Sequence, residues 1–369
     1  IAGSKISPTF TTDGSFNSIS IGKGANSVST NTVVGETALD AITSGSANTA
    51  FGFSSLSALT AGTENTAIGQ RSLLSLVTGH RNTGVGGGTL QNTTGNDNTA
   101  VGRDALIQNT SGAANTAVGK DALNDNTTGG NNVAVGANAL DVNTTANFNV
   151  AVGGSALSAN TTGTGNNAVG YNSLAANTTA NDNTALGHVA LTLNTSGANN
   201  TGIGKGALSA NTTGSNNTAV GYHALDLNTT GANNTAVGSR ALDANTTGCP
   251  NVAVGDQALS ENTTGGSNTA VGQGALFANT TASNNTGIGK DALVANTTGE
   301  RNVAVGALSL DANTTGDYNT SLGFNSLTNN TTADNNTALG YKTLEVNTTG
   351  TRNTATGALS LDANTSGIE

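Results

Sequence analysis

Three histidines, one cysteine and twenty-two acidic residues are the groups through which this 369-residue chain could carry out acid–base, nucleophilic or metal chemistry. His80, His188 and His223 share no metal-ligand spacing. Acidic residues such as Asp104, Asp121 and Asp291 are scattered singly, with no recurring Asp-rich calcium loop. The glycines never form a phosphate-binding loop between a strand and a helix. Cys249 has no second cysteine to pair with, so no internal disulfide framework exists, and beside Pro250 it reads as an exposed or half-buried thiol. The reading is that the chain is not an enzyme and needs no metal or cofactor. A different chemistry remains open. Phe53, Tyr171, Tyr222, Phe324 and Tyr341 occupy one point of a repeating unit, and His188 occupies it one unit after Tyr171. Flat rings pack well against the apolar face of a sugar. Tyr171, His188, Tyr222, Phe324 and Tyr341 are therefore candidate ligand-binding residues for a cell-surface glycan or other receptor. The frequent Asn-Thr-Thr triplet matches a glycosylation acceptor, but its regularity reads as structural.

The element that must position these residues is a seventeen-residue unit, Asn-Thr-Ala-Val-Gly-x-x-Ala-Leu-x-x-Asn-Thr-Thr-Gly-x-x. With the Gly of Asn-Thr-Ala-Val-Gly as position 0, it recurs in twenty copies from Gly35 to Gly357. One residue is missing from the register, placed by the sequence at 90–92. So short a period means a solenoid, because a single unit cannot bury its own apolar face. Residues 1–30 form a lead-in, and 31–369 one continuous array. A start at Ile1 and an end in mid-repeat at Glu369 suggest a fragment or processed product.

Within one unit, Asn-Thr-Ala-Val-Gly has strand character. Alternation places Val at −1 and Thr at −3 on one side, and the small residue at −2 on the other. The expectation is that Val and Thr face inward, and that the Ala column faces outward against another backbone. Leu at +4 is present in all twenty copies and makes a second core column. Asn at −4 is invariant and a second Asn recurs at +7, both suited to hydrogen-bonded ladders. Asn98, Asn115, Asn132, Leu106, Leu123, Leu140, Gly102, Gly119 and Gly136 represent these structural columns. Gly at +10 reads as a left-handed turn residue. The Ala-Leu segment could be a short helical turn, but packed helices need about 8–10 Å where strands stack about 4.8 Å apart. An extended or tightly turned segment is preferred. The fold class is all-β, a parallel β-solenoid or β-roll of about twenty coils, expected as a homotrimer because so thin a core needs burial from other chains.

The net charge of −10 carries no basic stripe for nucleic acid, and no apolar run is long enough to insert in a membrane. The stretch Asn17-Ser18-Ile19-Ser20-Ile21-Gly22-Lys23-Gly24-Ala25 resembles the head repeats of trimeric autotransporter (YadA-like) adhesins. The Asn-Thr-Ala-Val-Gly copies resemble tail-fibre repeats of bacterial viruses. The resemblance implies a homotrimeric extracellular shaft used in host attachment, on a virion or on a cell surface. The seventeen-residue coil is longer than the usual head repeat. A second reading comes from Thr at +8, where only Val77 departs from Thr. A regular Thr ladder on a solenoid could bind ice.

Overall fold

A computed structural model of the chain describes residues 13–17 and 19–368; the first twelve residues of the lead-in, Ser18 and Glu369 lie outside the described residues. The chain is an all-β parallel β-solenoid of about nineteen turns with seventeen-residue spacing. It divides into two compact units, residues 1–171 and 172–369. In the first, strands β1 (Gly14–Phe16) and β2 (Ile19–Gly22) form an antiparallel hairpin, and β2 pairs antiparallel with β3 (Thr32–Val34). From β3 to β11 (Asn167–Val169) every strand pairs in parallel with the next, each residue opposite its counterpart one repeat on. The second unit repeats this parallel pairing from β12 (Thr184–Leu186) to β22 (Thr354–Thr356). The remainder of each coil is turns and bends, which agrees with a tightly turned Ala-Leu segment.

The strand faces the opposite way from the sequence expectation. Ala117 is fully buried while Val118 is 36% exposed, and Thr116 is half-buried. The same phase holds at Ala236 beside Val237. The small residue points inward because three layers of side chain must share the narrow coil interior: Ala at −2, Ala at +3 and Leu at +4. Ala117, Ala122 and Leu123 are each fully buried. The outward column is therefore Val, Ile, Leu or Phe in every coil but the last, and not Ala. Leu106, Leu123 and Leu140 hold the core as expected.

Four corners bend each coil. At Gly119, φ is 140° and an added Cβ would lie 2.6 Å from the carbonyl carbon of Gly136 in the next coil. Asp121, Leu123 and Asn131 make three further left-handed corners at φ 54°, 52° and 58°. A left-handed leucine is costly, on the order of 1–2 kcal/mol, and it recurs at every Leu of the +4 column from Leu39 to Leu361. Stacking compensates, because the Leu123 N–H donates to the Ala139 carbonyl of the next coil at 3.0 Å. Glycine at +10 is not left-handed, contrary to expectation. It packs tightly under the next coil instead, and Ala146, Ala180, Ala282 and Ala333 fill the same place.

Two asparagine ladders close the interior. Asn115 N–H donates to Asn98 Oδ1 and Asn132 N–H to Asn115 Oδ1, each at 3.0 Å. In the second ladder Asn126 Nδ2 donates to Asn109 Oδ1 at 2.7 Å. Both ladders converge on one acceptor, the Gly129 carbonyl, reached at 2.9 Å by Asn115 Nδ2 and by Asn126 Nδ2. The missing residue is absorbed in the turn after Thr94 and not at 90–92. Thr93 takes the inward ladder place and accepts Asn109 Nδ2 at 2.9 Å, while Asn92 lies half-buried against Gln108.

Two stability outcomes follow from this packing. Gly119→Ala should lower stability by roughly 1–3 kcal/mol, since the corner is both left-handed and crowded. Gly129→Ala should cost less than Gly119→Ala: its Cβ would also crowd the next coil, 2.4 Å from the Ala146 carbonyl oxygen, but its φ is not left-handed and the coils that carry Ala there make room. Guanidinium titrations followed by far-UV circular dichroism would rank the two, and a reversed order would refute this account of the corners. In the second unit, Asn228→Ala removes a donor to Gly231 and the acceptor of Asn245 Nδ2. A loss of roughly 1–3 kcal/mol is expected for the orphaned amide, measured the same way.

Candidate functional site

The outward side of the strands is the most uniform surface. Position −1 carries Val, Ile, Leu or Phe in every coil but the last, where Thr356 stands. In the second unit Leu186, Val237, Ile288, Leu322 and Leu339 all count among the exposed large apolar side chains. Beside this rank runs the −3 rank, mostly Thr. The Thr218 and Thr235 hydroxyls donate to no other described residue. No charged residue occurs at −3 or −1 in any of the twenty coils. Parallel strands stack about 4.8 Å apart, so the eleven strands β12–β22 make a face on the order of 50 Å long.

The charges instead collect on the corners at +1, +2, +5 and +6, and around the turn before the strand. There they form short pairs, among them Arg81–Asp97, Lys120–Asp121 at 2.7 Å and Lys342–Glu345 at 2.8 Å. Exposed pairs of this kind contribute little to stability. The hydrogen bond and charge of Asp97 nevertheless raise the Arg81 pKa, and those of Arg81 lower that of Asp97. The sequence signal for this segregation was present in the repeat: charge varies freely at some positions and never enters others.

The Thr rank at +8 is differently built. Thr110 Oγ1 donates to the Thr127 carbonyl at 2.8 Å and Thr229 Oγ1 to the Thr246 carbonyl at 3.0 Å. The hydroxyls therefore bond along the stack, which explains retention of Thr there: the hydroxyl ties coils together and the methyl covers the turn.

The five aromatic or histidine candidates at +1 are all exposed. Tyr171 belongs to the first unit, and His188, Tyr222, Phe324 and Tyr341 to the second. Phe324 and Tyr341 stack on each other with ring centroids 6.0 Å apart and planes 10° apart. The Lys342 ammonium lies 5.9 Å from the Tyr341 centroid and is already held by Glu345. Tyr222 meets His223 edge-on at 4.2 Å. His223 Nδ1 is 2.5 Å from Asp226 Oδ2, but the Ser209 hydroxyl bonds to Asp226 and not to the imidazole, so this trio does not activate a nucleophile. Sequence reasoning did not find Asp226, Arg240 and Asp243, which line a cleft with Tyr222 and His223. Their +2 and +5 positions look like ordinary variable surface.

Among the described residues no group of three or more His, Cys, Asp or Glu side chains could hold a metal ion, and no helix is long and apolar enough to cross a membrane. Cys249 is an exposed free thiol. Compared with models of known protein families and with curated protein sequences, the chain matches none.

An acidic trio gives a pH prediction. Burial raises the Asp141 pKa above its ordinary 3.8, and the neighbouring Asp125 and Asp121 charges raise it further. A carboxylate whose folded pKa is raised costs stability once it ionises, so the cost is present at neutral pH and vanishes as pH falls through the raised value. Asp141→Asn should therefore raise the denaturation midpoint at pH 7, with the gain shrinking toward zero near pH 3. A gain of equal size at both pH values would show that charge is not the cause.

Proposed function

We propose that this chain is the shaft of a homotrimeric attachment fibre, outside the cell, on the tail of a bacterial virus. A cell-surface adhesin or an extracellular filament built the same way is the alternative setting. The observation that carries the reading is the charge-free −3/−1 face. An exposed apolar rank running through successive coils is an unusual surface for an isolated chain, and among the described residues the large apolar side chains of the coil interior are Leu, with Val33 and Ile42 in the first coil. Packing these faces together in a trimer supplies the burial that each coil lacks. The role is mechanical: stacked coils hold a receptor-binding tip at a distance, with glycan contacts along the exposed sides.

Light scattering on a sizing column tests the assembly. A mass of three times 35.9 kDa is expected. Val237→Lys combined with Val271→Lys should reduce it to one chain while the far-UV spectrum stays unchanged. A native mass of one chain would overturn the reading. The same face would then support the second one, ice binding. Its free Thr hydroxyls beside Val methyls at strand spacing form a flat regular array, whereas the +8 rank has committed its hydroxyl donors. Thermal hysteresis of the native chain, lost on Thr235→Lys, would establish that reading.

A further inference from the structure

The coils of Gly221 and Gly238 carry a cluster that none of the ladders uses. Tyr222, 46% exposed, stands at the corner of the first coil. The same place in the next coil is Ser239, too small to cover the ring. Arg240 follows, and its backbone N–H donates to the Tyr222 carbonyl at 2.9 Å, so its side chain springs from directly beside the ring. Both His223 and Arg240 sit in left-handed corners, at φ 50° and 52°, which turn their side chains away from the core. Asp226 and Asp243 stand one above the other at +5. Tyr222, His223, Asp226, Arg240 and Asp243 line an open cleft of about 290 Å³. That volume lies at the small end of small-molecule sites.

Hydrogen bonding within the cleft is distributed unevenly. Asp226 is held by His223 and by the Ser209 hydroxyl. Asp243 Oδ1 accepts the Ser260 hydroxyl at 2.6 Å. The Arg240 guanidinium lies in this acidic setting and yet pairs with neither carboxylate, nor with any other described residue. By contrast Arg81, Arg103 and Arg301 each engage a neighbouring carboxylate. The Lys205 ammonium lies 5.8 Å from the Tyr222 centroid and the His223 ring meets the tyrosine edge-on at 4.2 Å, and Tyr222 stays 46% exposed. The cleft thus offers a part-exposed aromatic ring, a planar set of free N–H donors, and the second oxygen of Asp243 as an acceptor.

We propose that this cleft binds a pyranose sugar, with the apolar face of the ring against Tyr222 and neighbouring hydroxyls bridged between Arg240 as donor and Asp243 as acceptor. A hydroxyl both donates and accepts, so it matches a cleft presenting a free guanidinium beside a half-engaged carboxylate. The stacked Phe324–Tyr341 pair is a poorer platform. Its rings turn toward each other, and the adjacent Lys342 is already paired. The biological sense of the cleft rests on the attachment reading, but its test does not depend on oligomeric state.

Saturation-transfer NMR on the full chain, with the methyl glycosides of glucose, mannose and galactose and with glucuronate, decides the matter. Transfer to at least one neutral glycoside is expected. Tyr222→Ala and Arg240→Ala should each weaken it about tenfold or more, and Arg352→Ala, several coils along the array, should leave it within about threefold. Far-UV circular dichroism of each variant guards against misfolding. No transfer to any of the four sugars, or transfer untouched by Tyr222→Ala and Arg240→Ala, would overturn the assignment. Transfer to glucuronate alone would replace the hydroxyl clamp with simple ion pairing to Arg240 and overturn the proposal as stated. The light-scattering mass is read separately, so loss of sugar binding with an intact trimer would leave the shaft standing.

Discussion

Each inward side chain in this fold has its own counterpart above and below it, at the spacing of stacked parallel strands. Any interior residue must therefore be compatible with a column of itself. A charge fails, because like charges would line up in a low-dielectric interior. Leucine and alanine satisfy the condition by stacking apolar surface. Asparagine satisfies it by chemistry, because the amide carries both a donor and an acceptor. In the Asn109–Asn126–Asn143 run each Nδ2 donates to the Oδ1 of the coil before it. The ladder thus propagates without an orphaned amide in mid-run, and Thr93 provides an acceptor where the run begins.

The same requirement explains why glycine at position 0 and glycine at +10 are not equivalent. The first combines a left-handed corner with the backbone of the next coil immediately above, so a Cβ has no place. The second presents its carbonyl to two asparagine amides, a role that depends on the backbone and that Ala146 also performs, accepting from Asn132 and Asn143. Charge is displaced to the corners, where neighbouring coils can pair opposite signs as at Arg81 and Asp97. What remains is a sheet face without charge and with an apolar rank. Its regularity matches the interior's, although it faces away from the core.

Much of this was legible from residue spacing. The period, the parallel stacking, the Leu column and both Asn columns follow from which residues recur and which vary. The phase of the strand did not. Alternation in Thr116-Ala117-Val118 separates two faces but does not say which is inside, and hydrophobicity alone chose the wrong one. Ala117 is inside because the coil is narrow, a fact of closure that no single strand records. The left-handed leucines were equally hidden, since Leu is an unfavourable residue for φ near 50° and only bonding to the neighbouring coil holds it there. The cleft beside Tyr222 was half legible. The exposed aromatic stood out, while Arg240 and Asp243 became its neighbours only when the next coil was laid on top.

The sequence by itself determined that the chain is a stack of seventeen-residue coils, because only residues that sit above their own kind need to recur so strictly. The tertiary structure alone decided which side of each strand is buried and which corner residues meet across coils. Both depend on how a coil closes and on how much width remains inside it. That width is set by Ala and Leu packing against each other in space and not by their order along the chain.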